Sequence, residues 1–390
     1  MEVKTQELEL QSQIWPLWAA TEGWGSNNVE AACQRGLELA AELERYDLLY
    51  VPLWGLWTVY FLRGEMGEAL ATARQVHQMA QASGVPMLQL TGEHALSYSH
   101  VYRGELNEAL VSVERGLALF DLDQERQIAE TFQLSSTVAL LGIRAMIHYL
   151  QGRITAAETD WSALDRLARD LDHPPSLAAG LAFTLQGRSL RYPGSGRLDQ
   201  MESGITELMT LTADEGSLLW KAVADCFAAA VVSTDSKEAD VRINSAWEVF
   251  SHTGSQLTEV LMRIVFAEAR LRLDDAAGAL RELDLAEAAM RERQEGLLAP
   301  DIWRLRGKIA ATAGRADEAR SAFDAAVELA ATQNAPMLRL RSLVDRFESA
   351  IDQPARDLVT AIGAVLLELD ESNGEPEVVL ARTILASHPA

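Results

Sequence analysis

Apolar residues recur along this chain at helical spacing, and nowhere does the alternation of a half-buried strand persist. The segment 299–336 carries the pattern in its fullest form. Trp303, Gly307 and Ala310 share one face of a predicted helix, Gly314 interrupts it, and Ala319, Phe323 and Ala326 line one face of a second. Small residues stand where two helix axes must approach closely, and large ones fill the space beside them. Such a hairpin cannot bury its apolar face alone, so it predicts similar neighbours on both sides.

The neighbours recur. A small residue usually follows each turn by five positions, which gives Ala31, Ala69, Ala109, Ala157, Met201, Ala239, Ala279, Ala319 and Ala355. Successive differences between these numbers are 38, 40, 48, 44, 38, 40, 40 and 36. Gly64, Gly104, Gly152, Gly196 and Gly314 mark the turns, and Asp274 stands where one glycine is missing. The whole chain, 1–390, therefore reads as one all-α domain. The expected architecture is an α-solenoid, a right-handed superhelix of about nine tetratricopeptide-like (TPR-like) hairpins with a period of roughly 40 residues. The long step predicts an extended helix or loop, and bends are expected near 121–150 and 192–197.

Local signals place the boundaries. A first helix is predicted over 3–21, with Trp15 and Trp18 on one face. Asn28 is the expected N-cap of the next, and Ser233 or Asp235 of a later one. Gly84 reads as a C-cap, Pro52 as a first-turn residue, and His173-Pro174-Pro175 as the close of the helix 152–171.

Charge narrows the class. The chain carries 34 basic against 57 acidic residues, a net charge of -23, with no basic stripe to overcome it. Nucleic acid and anionic membranes are thereby disfavoured as partners. Cys33 and Cys226 lie several repeats apart, so no disulfide is expected and a reducing compartment fits better. The sequence MEVKTQELEL lacks the form of a secretory leader, and the most apolar run, 222–232, is short and contains Asp225. A cytoplasmic protein is expected.

Several stretches narrow the reading further. EGWGSNNVEAACQRGLEL, VPLWGLWTVYFLRGEMGEAL, GEHALSYSHVYRGELNEALVSVERGLALFD and DEGSLLWKAV resemble the C-terminal tetratricopeptide region of large bacterial signalling proteins. Those proteins join a class III adenylate cyclase or another effector to an AAA-type ATPase, and similar regions occur in maltose-activator-type regulators. The resemblance runs over roughly 8–336 and is carried most specifically by Trp54 with Trp57, His94, Phe120-Asp121, and Glu215-Gly216 with Trp220. It implies a sensor or interaction arm without catalysis of its own. The ATPase and cyclase parts are missing: no GxxxxGK[ST] loop occurs, and Gly194-Ser195-Gly196 lacks a third glycine.

Catalytic and metal patterns are weak. Asp121, Asp123 and Glu125 alternate like a calcium loop, but Arg126 replaces the required glycine and Phe132 the closing acid. His94 and His100, six apart, face opposite sides of a helix. No GxSxG or HExxH motif occurs. No cofactor, metal or catalytic residue is assigned.

The concave wall is the better candidate. Counting six and ten residues back from each turn selects Thr58 and Trp54, then Tyr98 and His94 with Tyr102 one turn on, then Lys308 and Arg304. The same count from Asp274 gives Glu268 and Ile264. Trp54 and the two tyrosines serve equally well as core, His94 and Trp57 better so, and Trp220 and Trp303 are assigned to the core. An aromatic N-terminal groove suits a peptide side chain or a flat ligand, and a charged C-terminal one suits carboxylates. The expected function is a non-enzymatic scaffold that binds a protein partner, such as an effector or ATPase, through its groove. The alternatives are a small-molecule sensor and, third, an enzyme built on the helical scaffold.

Overall fold

The computed structural model describes residues 2–45, 48–191, 198–215, 217–351, 356–370 and 374–388. Gly196, Gly216, Ala355 and the joint at 192–197 lie outside them. Among the described residues there are twenty helices and no strand, an all-α helical-repeat fold.

Consecutive helices pair into hairpins. The first three are α1 (Glu2–Glu22) with α2 (Asn27–Glu42), α3 (Tyr50–Leu62) with α4 (Met66–Ser83), and α5 (Pro86–Tyr102) with α6 (Leu106–Leu117). A single helix, α7 (Leu122–Phe132), intervenes. Then come α8 (Ser136–Leu150) with α9 (Ile154–Asp170), α10 (Pro174–Ser189) with α11 (Leu198–Glu215), and α12 (Leu218–Val232) with α13 (Ser236–Ser251). The last pairs are α14 (Glu259–Arg272) with α15 (Ala276–Arg293), α16 (Ala299–Thr312) with α17 (Ala316–Thr332), and α18 (Pro336–Glu348) with α19 (Arg356–Leu366). Helix α20 (Pro376–Ser387) ends the row.

The first helices of successive hairpins, α1, α3, α5, α8, α10, α12, α14, α16, α18 and finally α20, each touch the next. Alanines make the approach within hairpins close: Ala69, Ala109, Ala157, Ala239, Ala279 and Ala319 have no exposed surface. The first repeat departs by one register, since Ala31 is exposed and Ala32 buried.

The turns repeat one geometry. Gly64, Gly104, Gly152 and Gly314 have φ between +72° and +81°, and Asp274 has +58°. Each places the next N–H on a carbonyl of the preceding helix: Glu65 on Tyr60, Glu105 on His100, Arg153 on His148, Asp275 on Arg270 and Arg315 on Ala310, at 2.8–3.0 Å. This satisfies carbonyls left over at a helix end.

Three local expectations change. Ser26, not Asn28, caps α2 by accepting the Val29 N–H, and Asn28 instead holds Glu22. The 48-residue step is filled by the extra helix α7, not by one extended helix or loop. Asp121 caps it through Gln124 N–H, and Ser135 caps α8 by accepting the Val138 N–H while its own hydroxyl and that of Thr137 donate to Glu125. His173 and Pro174 open α10, with His173 Nδ1 accepting from Ser176. Asp235, one of the two expected residues, caps α13.

The later hairpins close against the earlier ones. Leu62 O, at the end of α3, accepts from Gln256 N–H (2.7 Å) and Leu257 N–H (2.9 Å). Tyr102 O, at the end of α5, accepts from Leu297 N–H, and Gly152 O accepts from Asp370 N–H. Carbonyls at two helix ends and one turn are thus met by segments that link later helices. No helix among the described residues is long and apolar enough to cross a membrane.

Candidate functional site

First helices of several hairpins face a shared interior. Between their walls lies a cavity of about 250 Å³. Trp54, Trp57, Thr58 and Phe61 reach it from α3, and His94 and Tyr98 from α5. Phe132 at the end of α7 and Phe183 on α10 continue the wall. The remaining sides come from Pro16 to Trp24, from Leu218 to Trp220, and from Thr253 and Leu257.

The aromatic rings form a chain of contacts. Centroids lie 4.8 Å apart for Trp54 and Phe132, 5.5 Å for Trp57 and His94, and 4.8 Å for His94 and Tyr98. Tyr98 continues to Phe183 at 5.9 Å, and Phe183 to Trp220 at 5.7 Å. Edge-to-face and tilted pairs of this kind add to the burial that already holds the rings.

Polar groups in the wall are mostly engaged. Trp57 Nε1 donates to Ser99 Oγ (3.0 Å), the Thr58 hydroxyl to Trp54 O (3.1 Å) and the Tyr98 hydroxyl to Ala139 O (3.2 Å). His94 Nδ1 lies 3.0 Å from Ser136 Oγ. Burial pushes the His94 pKa down to about 3, so the ring is neutral at physiological pH.

The residues selected from the sequence fall into two groups. Trp54, Thr58, His94 and Tyr98 line the cavity, all less than 10% exposed. Tyr102 is buried beside it, with its hydroxyl 3.5 Å from Gln186 Oε1. Glu268, Arg304 and Lys308 lie elsewhere, in an ionic network. Arg304 donates to Asp301 (2.7 Å), Asp345 (2.8 Å) and Glu268 (2.6 Å), and Lys308 to Asp345 (3.3 Å). Arg304 is 1% exposed. Its charge faces three carboxylates of its own chain, not an open groove.

Beside that network, Arg341 donates to Tyr149 OH, Leu190 O and Glu377 Oε1 at 2.7–3.0 Å. This joins α18 and α20 to α8 and the end of α10.

Other placements differ from expectation. Trp220, expected in the core, is half-buried in the cavity wall, and Trp303 is also half-buried. Trp57 is both core and wall. Trp24, Phe132 and Phe183 were not legible as wall residues, because each comes from a different repeat and none sits at the counted positions. No group of three or more His, Cys, Asp or Glu among the described residues is arranged to hold a metal ion. No protein-family model matches the chain, and no curated protein matches it.

Proposed function

We propose that the chain is a ligand-sensing regulatory module of the cell interior, whose aromatic cavity takes up a small molecule. Occupancy would set how firmly the early hairpins close on the 253–257 segment, and so the surface shown to a protein partner. The observation that carries this reading is the cavity itself, about 250 Å³ and walled by aromatic rings from several repeats. An apolar cavity of about 150 Å³ takes up benzene, so there is room here for a ligand of one or two rings.

The resemblance to tetratricopeptide arms of bacterial signalling proteins supports the same reading, since such arms sense or bind without catalysis. The inner charges give no support to an acidic partner in the groove, because Arg304 is already enclosed by its own carboxylates. A protein-binding scaffold is the second reading. It is favoured by α1, where Val3, Leu10 and Leu17 recur every seventh residue with 60–75% of their surface exposed.

The test is a thermal-shift screen of the full chain against small metabolites. A ligand bound by the folded state alone raises the melting temperature by mass action, about 2.7 kcal/mol at a hundred times its Kd. The shift should vanish in Trp220→Ala, which opens the wall from a half-buried position. Silence from every compound at saturating concentration removes the sensing reading.

A further inference from the structure

The geometry points to the chemical class of the ligand: an uncharged, flat, ring-bearing molecule with one hydroxyl group seated against Nε2 of His94. This rests on the ligand-sensing reading and adds to it a statement about charge and about one polar contact.

Charge is excluded by the lining. Of the described residues that line the cavity, none is Asp, Glu, Lys or Arg, in a chain that carries 57 acidic and 34 basic residues. An anion entering would leave its hydration with no counter-charge to meet it, and a cation would meet only ring faces, worth about 2 kcal/mol, less than the several kcal/mol its desolvation costs. Flatness follows from the walls, where the rings of Trp54, Trp57, Phe61, Tyr98, Phe132 and Phe183 supply planar apolar surface.

The polar contact follows from what is left over in the buried part of the wall; Trp24, Gln133, Ser217 and Trp220 are only half-buried, where water can meet their polar atoms. Trp57, Thr58 and Tyr98 have their hydrogen bonds within the protein. His94 is 2% exposed; Ser136 holds its Nδ1, and Nε2 has no hydrogen-bonding partner among the described residues. Trp54 Nε1 is also unpaired, but protein atoms cover it. His94 Nε2 is not sealed off in this way, so it reaches the cavity, where a ligand hydroxyl replaces water and returns about 0.5–1.5 kcal/mol.

The choice of hydroxyl follows from the tautomers. If the Ser136 hydroxyl donates to Nδ1, then Nε2 carries the proton and needs an acceptor. If Nδ1–H donates to Ser136, then Nε2 is bare and needs a donor. A hydroxyl meets both cases, whereas a carbonyl meets one.

The experiment uses four probes of one shape on the full chain at pH 7: 2-naphthol, naphthalene, 2-naphthoate and 2-naphthylmethylammonium. Binding is read by calorimetry and by thermal shift. Naphthol should bind about fivefold to tenfold tighter than naphthalene, the worth of one neutral hydrogen bond. Both ions should bind at least about tenfold more weakly than naphthol. His94→Leu should keep naphthalene binding and abolish the naphthol advantage, while His94→Gln, which retains a donor and an acceptor, should preserve it. Should His94→Leu fail to fold, the four probes on the unaltered chain and on His94→Gln still decide. An ion that binds as tightly as naphthol, or a naphthol advantage that survives in His94→Leu, overturns the assignment and leaves the sensing reading standing. No binding by any of the four overturns both.

Discussion

The carbonyl of Leu62 accepts the N–H of Gln256 at 2.7 Å, which places the last residue of α3 against the segment joining α13 to α14. The neighbouring turn makes the same approach: at Gly23 an added Cβ would stand 2.3 Å from Thr253 O, and at Gly25 one would stand 2.6 Å from Gly254 O. Backbone meets backbone here with no room for a side chain. Because Gly23 and Thr253 also line the cavity, this contact closes one of its walls.

Gly23→Ala should therefore destabilise more than an ordinary turn substitution. Gly23 and Gly314 share positive φ, +94° and +73°, but Gly314 has nothing within 4 Å of its missing Cβ. Gly314→Ala should cost about 1–2 kcal/mol, the penalty of the left-handed region alone. Gly23→Ala adds a backbone clash and should exceed it by at least about 1 kcal/mol, read from urea-unfolding midpoints. Equal midpoints would mean that the turn does not press on Thr253 in solution.

The buried guanidinium of Arg341 gives a second test. Arg341→Met leaves Glu377, which has no exposed surface, without its cation, and should cost about 3–5 kcal/mol. The double variant Arg341→Met with Glu377→Gln should recover much of that loss, because the uncompensated charge is gone. A thermodynamic cycle over the two sites measures the coupling. Additive losses would place the two groups in water and contradict the buried pair.

The hairpin turns were readable because a left-handed residue favours Gly, so Gly64 announces itself in a bare sequence, whereas Gln133, Thr258 and Gln294 take the same region without such a signal. The alanines at helix crossings were readable for a similarly local reason. Counting back from the turns reached Trp54 and His94, since each lies within one helix of its glycine. The cavity as a whole was not readable. Phe132 meets Trp54, and Phe183 meets Tyr98 and Trp220, only after the angles between several hairpins have summed, and no residue encodes that sum. The contact of Leu62 with Gln256 is made by backbone atoms, which leave no trace in side-chain pattern. Arg304 misled for the opposite reason. A charge on an amphipathic helix usually marks the wet face, but its acids come from α14, α16 and α18 together.

Glu295 predicts a pH dependence. It is 3% exposed at the contact between the 294–297 segment and α5. Burial pushes its pKa up to about 8, with Arg293 opposing the rise and Glu259 adding to it; Tyr102 is the other titratable group affected. The folded value lies above the unfolded one of about 4.3, so the folded state holds this proton more tightly. Its stabilising contribution is complete below about pH 4.3 and is lost as pH rises through 8. Glu295→Gln cannot ionise, so relative to the unaltered chain it should gain stability between pH 5 and pH 9. Chemical denaturation at those two pH values gives the comparison. A gain already complete at pH 5 would show that the carboxyl ionises as it does in water.

The two cysteines are expected to be chemically silent while the fold is intact. Neither Cys33 nor Cys226 has exposed surface, and burial, helped by Glu30 and Asp225 respectively, pushes both thiols up to about 12. The thiolate is the reactive species, so Ellman's reagent at pH 8 should find almost no fast-reacting thiol in the native chain and both thiols in urea. Gly55 gives the packing a handle, because an added Cβ there would stand 2.7 Å from Cys33 Sγ. Gly55→Ala must push that sulfur or the helix that carries it, and should cost about 1–3 kcal/mol as an overpacked core. Cys33→Ala in the same chain removes the obstructing atom, so the pair should lose less than the sum of its single changes. A rapid native reaction at Cys33 would place α2 away from α3 and remove this account of why a glycine stands in the middle of an aromatic helix.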